Sequence, residues 1–237
     1  MSEYYYNKDY FKIINNEHKA YWLGFLYADG YVEPIYRKDK IKAFRLELSL
    51  QESDEDMLLL FKKDIETNAN ITDRIIKSKD KNYHAKRIRI NNTELCRDLM
   101  NLGCMPKKSL ILKFPNHTIV PQELIRHFIR GYFDGDGCVS YYETKYIDKR
   151  NNKQYTKKHK ICSFVGCQDF LLSLQEELKN NDIFFKFVKV NNCGKASEIR
   201  IEDVENIIKF YDYLYNSNSI CMARKKEKYD FLLKQII

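Results

Sequence analysis

Two short segments of the chain share one pattern: residues 22–30 read WLGFLYADG and residues 129–137 read IRGYFDGDG. Each segment has a glycine, Gly24 or Gly131, followed four positions later by a small residue. Because positions i and i+4 lie on one face of a helix, each pair forms a smooth stripe that another backbone can approach closely. Glycine inside a helix costs roughly 1 kcal/mol relative to alanine. The pattern therefore predicts two helices that pack on each other through their glycines.

Both segments end in Asp-Gly, with Asp29 and Asp136 at the point where each helix stops. A carboxylate there meets the negative end of the helix dipole and is disfavoured by up to about 1 kcal/mol. If the stripes pack face to face, the two carboxylates lie side by side and need a shared proton or a bound cation. Magnesium takes oxygen ligands, so it is the predicted ion, with the backbones of Ala28 and Gly135 as candidate further ligands. The alternative is that each Asp-Gly only makes a turn, but the matched pair favours a metal site.

The composition favours a polyanionic partner. The chain has 237 residues, enough for one large domain or two small ones with a shared core, and its formal net charge is +8. The seven cysteines are odd in number and show no zinc-ligand spacing, so reduced cysteines are predicted. No apolar run approaches the ~18 residues of a membrane span, and the first residues lack a signal-peptide pattern. These features predict an intracellular protein without a membrane partner, whether in the cytoplasm, the nucleoid or an organelle.

The two aspartates are 107 residues apart (136 minus 29), close to half the chain, which indicates an internal repeat. Periodicity predicts strands at 44–50, 84–91, 159–165, 184–190 and 197–201, and helices at 56–65, 93–103, 168–183 and 203–216. The predicted fold class is α+β, with two pseudo-symmetric αββαββα halves, antiparallel sheets and paired motif helices that join the halves. The predicted division is an N-terminal half at 1–113, a linker at 114–120 and a C-terminal half at 121–237.

Each predicted sheet has one face on helices and one open face. The open faces are predicted to carry Arg45, Glu47, Ser49, Arg87 and Arg89 in the first half, and Lys158, Lys160, Glu198 and Arg200 in the second. Residues 145–160 are strongly basic, and Asn151-Asn152 can turn them into a hairpin. A two-stranded ribbon fits the major groove of DNA, where such side chains read base edges. Together these faces predict a saddle over duplex DNA, although each charge taken alone is more typical of a solvated surface.

The two motifs, set in repeated halves, resemble the LAGLIDADG homing endonucleases in their single-chain, double-motif form. The resemblance extends from about Tyr10 to the end of the chain. It implies a monomeric enzyme that cleaves both strands of a long double-stranded DNA target, leaves short 3′ overhangs and promotes homing of its host intron. It also implies a divalent metal, Mg²⁺ or Mn²⁺, bound by the acid at the eighth motif position. Those acids are Asp29 and Asp136.

The resemblance implies further site residues. A basic residue after the last helix of each repeat is expected near each reaction centre, and the candidates are Lys108 and Lys225, with their neighbours Lys107 and Lys226 left open. A polar side chain that positions water is expected at the end of the first strand of each half, where Asp54 and Gln168 are candidates. The predicted DNA-binding side chains are Arg37, Lys42, Arg45, Glu47, Ser49, Arg87, Arg89, Lys145, Arg150, Lys153, Lys158, Lys160 and Arg200.

The sequence departs from the family pattern at the sixth motif position, which is Tyr27 in the first copy and Asp134 in the second. Unequal local support of the two carboxylates is therefore expected. Two other classes of function compete with the nuclease. A non-cleaving intron maturase, which binds RNA as a splicing cofactor, or a DNA-binding regulator could use the same scaffold, but both motif acids are present here. A protein-binding module explains the glycine stripes but not the basic strands.

Overall fold

The computed structural model describes residues 5–77, 82–106, 108, 111–189, 196–216 and 219–236. Within these residues the chain forms seven α-helices and eight β-strands. In chain order they are α1 (Glu17–Ala28), β1 (Gly30–Arg37), β2 (Lys40–Gln51), α2 (Glu55–Asp64), β3 (Ile71–Lys77), β4 (Asn82–Ile90), α3 (Thr93–Asn101), α4 (Ile125–Asp136), β5 (Gly137–Asp148), β6 (Lys153–Cys167), α5 (Gln168–Lys179), β7 (Lys186–Lys189), β8 (Ala196–Ile201), α6 (Val204–Tyr215) and α7 (Ala223–Lys234). The order is αββαββα twice, followed by α7, and the predicted α+β fold class is confirmed.

The strands form two antiparallel four-stranded sheets with the same strand order. The first is β1-β2-β4-β3 and the second is β5-β6-β8-β7. Their registers also correspond, because Gly30 pairs with Leu48 and Gly137 pairs with Phe164. Since each glycine directly follows its motif aspartate, the repeat places both aspartates at the same point relative to a sheet.

Each sheet covers its own apolar core. Residues Met1–Asp136 with Ser219–Met222 form one compact unit, and Gly137–Asn218 with Ala223–Ile237 form the other. In the first unit the ring of Trp22 packs edge to face on Phe61, with ring centres 4.9 Å apart. In the second unit Phe210 makes an edge-to-face contact with Phe185, with ring centres 5.0 Å apart. Aromatic contacts of this kind add to the stability that comes from burial alone.

The compact units do not divide where the repeat does. Helix α4 begins the predicted C-terminal half, yet it belongs to the first unit because it packs against α1. The predicted division into two halves joined by a linker at 114–120 follows the sequence repeat, and it stays a prediction.

Several elements were not predicted from the sequence. No bounds were predicted for β1 and β3, β5 was predicted only where it forms one arm of the basic hairpin, and helix α7 was not predicted. Pro34 lies inside β1 and weakens its strand signal, but β1 is an edge strand, where proline is tolerated. No helix in the described part of the chain is long and apolar enough to cross a membrane.

The predicted basic hairpin is confirmed. Strands β5 and β6 pair continuously from Gly137 to Asp148, and β8 pairs with β6 only from Cys162 onward. Residues 141–160 therefore form a two-stranded ribbon that extends past the third strand of the sheet. On this ribbon the Tyr142 ring stacks on His159, with ring centres 4.6 Å apart.

Candidate active site

The two motif helices, α1 and α4, contact each other backbone to backbone. A Cβ atom on Gly24 would lie 2.0 Å from the carbonyl oxygen of Phe128, and one on Gly131 would lie 2.0 Å from the carbonyl oxygen of Tyr21. No side chain fits in that space, so the glycines are required by the helix pairing. The predicted contact through the glycine stripes is confirmed.

The two motif aspartates lie at the same end of this helix pair. Asp29 caps α1, and Asp136 is the last residue of α4. A Cβ atom on Gly135 would lie 3.1 Å from the Asp29 Oδ2 atom, so the Asp29 carboxylate lies against the backbone one residue before Asp136. Both aspartates are exposed although the helices before them are buried. The helix ends therefore present two carboxylates to solvent.

A lysine from each half reaches the backbone beside its own motif aspartate. Lys108 Nζ donates to the carbonyl oxygens of Ala28, at 3.3 Å, and of Gly30. Lys225 Nζ donates to the carbonyl oxygen of Gly137. The two glycines directly follow Asp29 and Asp136, so the lysines occupy equivalent positions. An ammonium group is favoured where helix carbonyls end.

The structure separates Lys225 from its neighbour. Lys225 shares the buried face of α7 with Tyr229 and Leu232, whereas the Lys226 Nζ atom lies 3.3 Å from the Asp230 carboxylate. A hydrogen bond with Tyr211 and the ion pair with Asp230 raise the pKa of Lys226. Lys225 is therefore the candidate at the motif. In the first half, Lys107 lies outside the described residues.

The two residue types at the sixth motif position make similar contacts. The Tyr27 hydroxyl donates to the carbonyl oxygen of Leu102, six residues before Lys108. Asp134 is fully buried, and its Oδ2 atom accepts from the Met222 N–H at 2.7 Å, three residues before Lys225. Each side chain thus holds the segment that leads to the candidate lysine of its half. Although the residue types differ, as the sequence showed, their structural role is shared.

A buried arginine, which the sequence reasoning missed, adds to the anchor in the second copy. Arg130 is 1% exposed, and its guanidinium donates to the Ile220 carbonyl oxygen at 2.8 Å and to the Ser219 hydroxyl at 2.7 Å. It also donates to Nδ1 of His127 at 2.8 Å. The only sequence signal was an arginine within an apolar helix. Burial and the positive charge of Arg130 lower the pKa of His127 to about 4.

This histidine predicts a loss of stability in mild acid. The native pKa of about 4 is below the ordinary value of 6.5, so below pH 6.5 the unfolded chain binds a proton that the native state does not. We expect the free energy of unfolding to fall as the pH drops from 6.5 to about 4, with a slope of at most about 1.4 kcal/mol per pH unit. Urea unfolding at several pH values measures it.

The matched variant is His127→Gln, which should flatten this part of the pH profile. Other charged groups face the ring, namely Glu17, Arg126, Arg130 and His18. An unchanged slope in the variant would assign the acid sensitivity to another group that titrates in this pH range, which excludes the two arginines.

The predicted water-positioning residues lie near the ends of the central strands. Asp54 is 3% exposed and lies in a 3-10 turn beyond β2, whereas Gln168 is the exposed first residue of α5. The strand β2 itself ends at Gln51, which is exposed and corresponds in register to Cys167. Gln51 was missed because the strand was predicted to end one residue earlier. Because Asp54 is buried, Gln51 is the better placed polar group at the end of β2. The water-positioning roles of Asp54 and Gln168 stay predictions.

The two motif carboxylates suit a magnesium ion that keeps several waters, and not a metal enclosed by protein ligands. Among the residues that the structure describes, no group of three or more His, Cys, Asp or Glu side chains could hold a metal. Magnesium is commonly held by one or two carboxylates and retains several waters. Two exposed aspartates at a shared helix end, with the Ala28 and Gly135 backbones beside them, suit this ion.

Residues 123–215 match the family model described as the LAGLIDADG-like domain. The matched segment contains the second motif and is less than half of the chain. The resemblance predicted from the two motifs is therefore confirmed. No protein of curated function matches the sequence significantly.

Solved structures of LAGLIDADG proteins share this fold over more than nine-tenths of the chain. The meganuclease I-SmaMI bound to uncleaveable DNA aligns with a TM-score of 0.63 at 11% identity, covering 93% of this chain and 88% of the other. The LAGLIDADG meganuclease I-AabMI bound to uncleaved DNA gives 0.61 at 12% identity, covering 94% and 91%. The LAGLIDADG homing endonuclease I-LtrWI bound to target DNA gives 0.60 at 12% identity, covering 97% and 91%.

The open face of the first sheet is as the alternation predicted. Glu47 pairs with Arg89 and Ser49 pairs with Arg87, so these side chains share one face, together with Arg45. The predicted DNA-binding residues differ in exposure, and only Glu47 among them is buried. The exposed ones are Arg37, Lys42, Lys145, Arg150, Lys153 and Lys158. The partly exposed ones are Arg45, Ser49, Arg87, Arg89, Lys160 and Arg200. Their contact with DNA stays a prediction.

In the second LAGLIDADG sheet, the predicted face was wrong for two lysines. Arg200 pairs with Ser163, whereas Lys158 and Lys160 alternate with that position and share the face of the buried Phe164. Val165 lies on the same face as Ser163 and is 50% exposed. Because Val165 is apolar but lies on the open face, the alternation of β6 did not show which face is covered. On the ribbon, the open face is continued by Lys157 and His159.

Proposed function

We propose that this protein is a site-specific homing endonuclease that hydrolyses both strands of a long double-stranded DNA target. The observation that carries the proposal is the pair of exposed carboxylates, Asp29 and Asp136, at the shared end of two helices packed through glycine. Lys108 and Lys225 lie at equivalent positions beside them. The related LAGLIDADG structures bound to DNA support the same reading. We include Mg²⁺ or Mn²⁺ dependence, short 3′ overhangs, intron homing and action as a single chain in the proposal.

In this mechanism Asp29 and Asp136 would each hold a divalent metal ion by their charge, one aspartate for each DNA strand. When bound, such an ion lowers the pKa of a water molecule and screens the charge that grows on phosphorus. Lys108 and Lys225 place a fixed positive charge beside each reacting phosphate, where it stabilises the charge that develops. Because backbone carbonyls hold both ammonium groups, little reorganisation is needed during the reaction.

Cleavage of the host locus tests this function. A plasmid that carries the uninterrupted locus should be linearised in the presence of Mg²⁺, and a chelator should prevent the reaction. The absence of cutting, combined with tight binding to the host intron RNA, would identify a maturase instead. Sequence-selective DNA binding without any cutting would identify a regulator.

The candidate lysines give a sharper prediction. We expect Lys108→Met or Lys225→Met to slow formation of linear plasmid by roughly 10²-fold or more, because each removes a charge that stabilises the transition state. Open-circle plasmid should accumulate, because the other half still cuts its strand. The measurement is a time course of supercoiled, open-circle and linear plasmid.

Lys226→Met is the matched control for Lys225→Met, because Lys226 lies on the same turn but pairs with Asp230. Its rate should stay within about threefold of the wild-type rate, because a partly exposed ion pair outside the motif contributes little. Equal losses in the two variants would remove Lys225 from the mechanism.

A further inference from the structure

Three arginines surround one carboxylate on the open face of the first sheet. The Glu47 side chain on β2 accepts from Arg89 Nε and lies 2.6 Å from Arg74 Nη1. The Arg87 Nη1 atom lies 3.9 Å from the same carboxylate. The arginines come from β3 and β4, so Glu47 links three strands of the sheet.

The carboxylate lies beneath the arginines. The Glu47 side chain is 8% exposed, whereas those of Arg74, Arg87 and Arg89 are 40%, 24% and 37% exposed. A base that approached this face would meet the guanidinium groups first. Direct base reading, which the sequence suggested for Glu47, would require the arginines to move aside.

The cluster has a physical consequence for DNA binding. Arg reads guanine through two parallel hydrogen bonds, which require its planar group to be held in one orientation. A shared carboxylate supplies that orientation and reduces the repulsion between three like charges. It also leaves a net charge of about +2 in place of +3, which weakens attraction to any phosphate backbone.

The second sheet has a different residue at this position. Glu47 pairs with Tyr31 just as Ser163 pairs with Cys138, and Tyr31 and Cys138 both follow a motif glycine. Ser163 therefore replaces Glu47 in the repeat. Arg200, which corresponds to Arg89, has an exposed partner, because its Nε atom lies 3.6 Å from Glu202. The cluster is thus a property of the first half and not of the repeat.

We propose that Glu47 is a positioning residue that orients Arg74, Arg87 and Arg89 for base recognition and limits their non-specific binding to phosphates. The inference rests on the proposed function, because it requires the open face to bind duplex DNA. Its consequence is that Glu47 lowers affinity for random DNA and raises discrimination for the target.

The salt dependence of binding to a mixed-sequence 30-base-pair duplex gives the first test. In Glu47→Gln the released arginines can reach phosphates, and each added contact steepens the plot of log affinity against log salt by about 0.9. We expect a slope steeper by about 1 and an affinity for this duplex roughly five- to tenfold higher at 0.1 M salt. A merely structural role for Glu47 would lower the affinity instead.

Glu94→Gln is the matched control for net charge. It also removes one negative charge, but Glu94 lies on α3 and pairs with Lys8, with 3.7 Å between the charged atoms. Its salt slope should equal that of the wild type. An equal increase in slope in both variants would mean that overall charge, and not the cluster, controls binding.

The second measurement is discrimination, which is the dissociation constant for the mixed-sequence duplex divided by that for the target duplex. We expect at least a tenfold fall in this ratio for Glu47→Gln. Glu47→Asp keeps the charge but shortens the side chain, so it should lose discrimination while its salt slope stays near the wild-type value. Wild-type discrimination in Glu47→Asp would overturn the positioning role.

A double-mutant cycle with Arg89→Gln completes the test. If Glu47 acts through the arginines, Glu47→Gln should reduce discrimination less in the Arg89→Gln background than in the wild type. Full additivity would contradict the proposal. If the wild-type protein itself shows no preference among duplexes, the proposed function fails, and that outcome is distinct from a failure of the Glu47 variants.

Discussion

Asparagine at either motif aspartate is expected to abolish double-strand cleavage while DNA binding persists. Asn has the size of Asp but lacks the charge that holds a divalent cation, so Asp29→Asn and Asp136→Asn should each lower the yield of linear plasmid at least roughly 100-fold. Both side chains are exposed at the helix ends, so neither substitution leaves a cavity in the core. The measurements are plasmid cleavage in Mg²⁺ and binding of the target duplex.

Asp56→Asn provides the matched control, because Asp56 is an exposed acid in the first turn of α2 and does not lie at the end of a motif helix. It should cleave at the wild-type rate, and binding by all three variants should stay within about threefold of wild type, since none removes a basic side chain. Full linear product from either motif variant would remove the two-carboxylate mechanism. Open-circle plasmid has one cut strand, so its formation by only one variant would show which half can cut its strand without the other.

The same two substitutions should stabilise the metal-free protein slightly. A carboxylate at the C-terminal end of a helix opposes the dipole, so its neutralisation should raise the free energy of unfolding by about 0.3–1 kcal/mol. Urea unfolding in the presence of a chelator measures the change. A decrease in stability would show that the aspartates make structural contacts that outweigh the dipole.

The second large effect is expected at the helix contact. In Gly24→Ala or Gly131→Ala the new methyl group would lie 2.0 Å from a carbonyl oxygen of the other helix, so the helices must separate. Overpacking of this kind costs about 1–3 kcal/mol and occasionally more, which outweighs the roughly 1 kcal/mol that alanine adds to helix propensity. We expect a loss of about 2–3 kcal/mol in the free energy of unfolding, and a loss of cleavage with it.

Urea denaturation of the single and double variants tests the contact. Because both glycines lie in one interface, the double variant should lose less stability than the sum of the two single losses. Ser173→Ala, at an exposed position of α5, is the control and should change stability by less than about 0.5 kcal/mol. Wild-type stability in Gly24→Ala would contradict the close approach of α1 and α4.

Much of the site could be predicted because its signals are local. A glycine, a small residue one turn later and a terminal Asp-Gly lie within nine residues, and the pattern occurs twice. Helix geometry converts this spacing directly into a packing face and a carboxylate at the helix end. The repeat then predicted the order of strands and helices, although the bounds of the edge strands β1 and β3 were not predicted.

Other parts of the site depend on contacts between residues far apart in sequence. Lys225 and Lys226 are adjacent and of the same residue type, and only the packing of α7 places Lys225 beside Gly137. Arg130 and Asp134 appear as polar interruptions of an apolar helix until their bonds to residues 219–222 are seen. A side chain's partner 90 residues away leaves no periodic signal near it.

The sequence alone determined the paired helices, the two aspartates at their ends and the doubled order of the fold, because each follows from spacing within one or two helical turns. Only the tertiary structure decided which face of β6 is open, which lysine meets each motif, and that Glu47 lies beneath three arginines. Strand alternation defines two faces but does not say which one is covered. That choice is made by the elements that pack against the sheet.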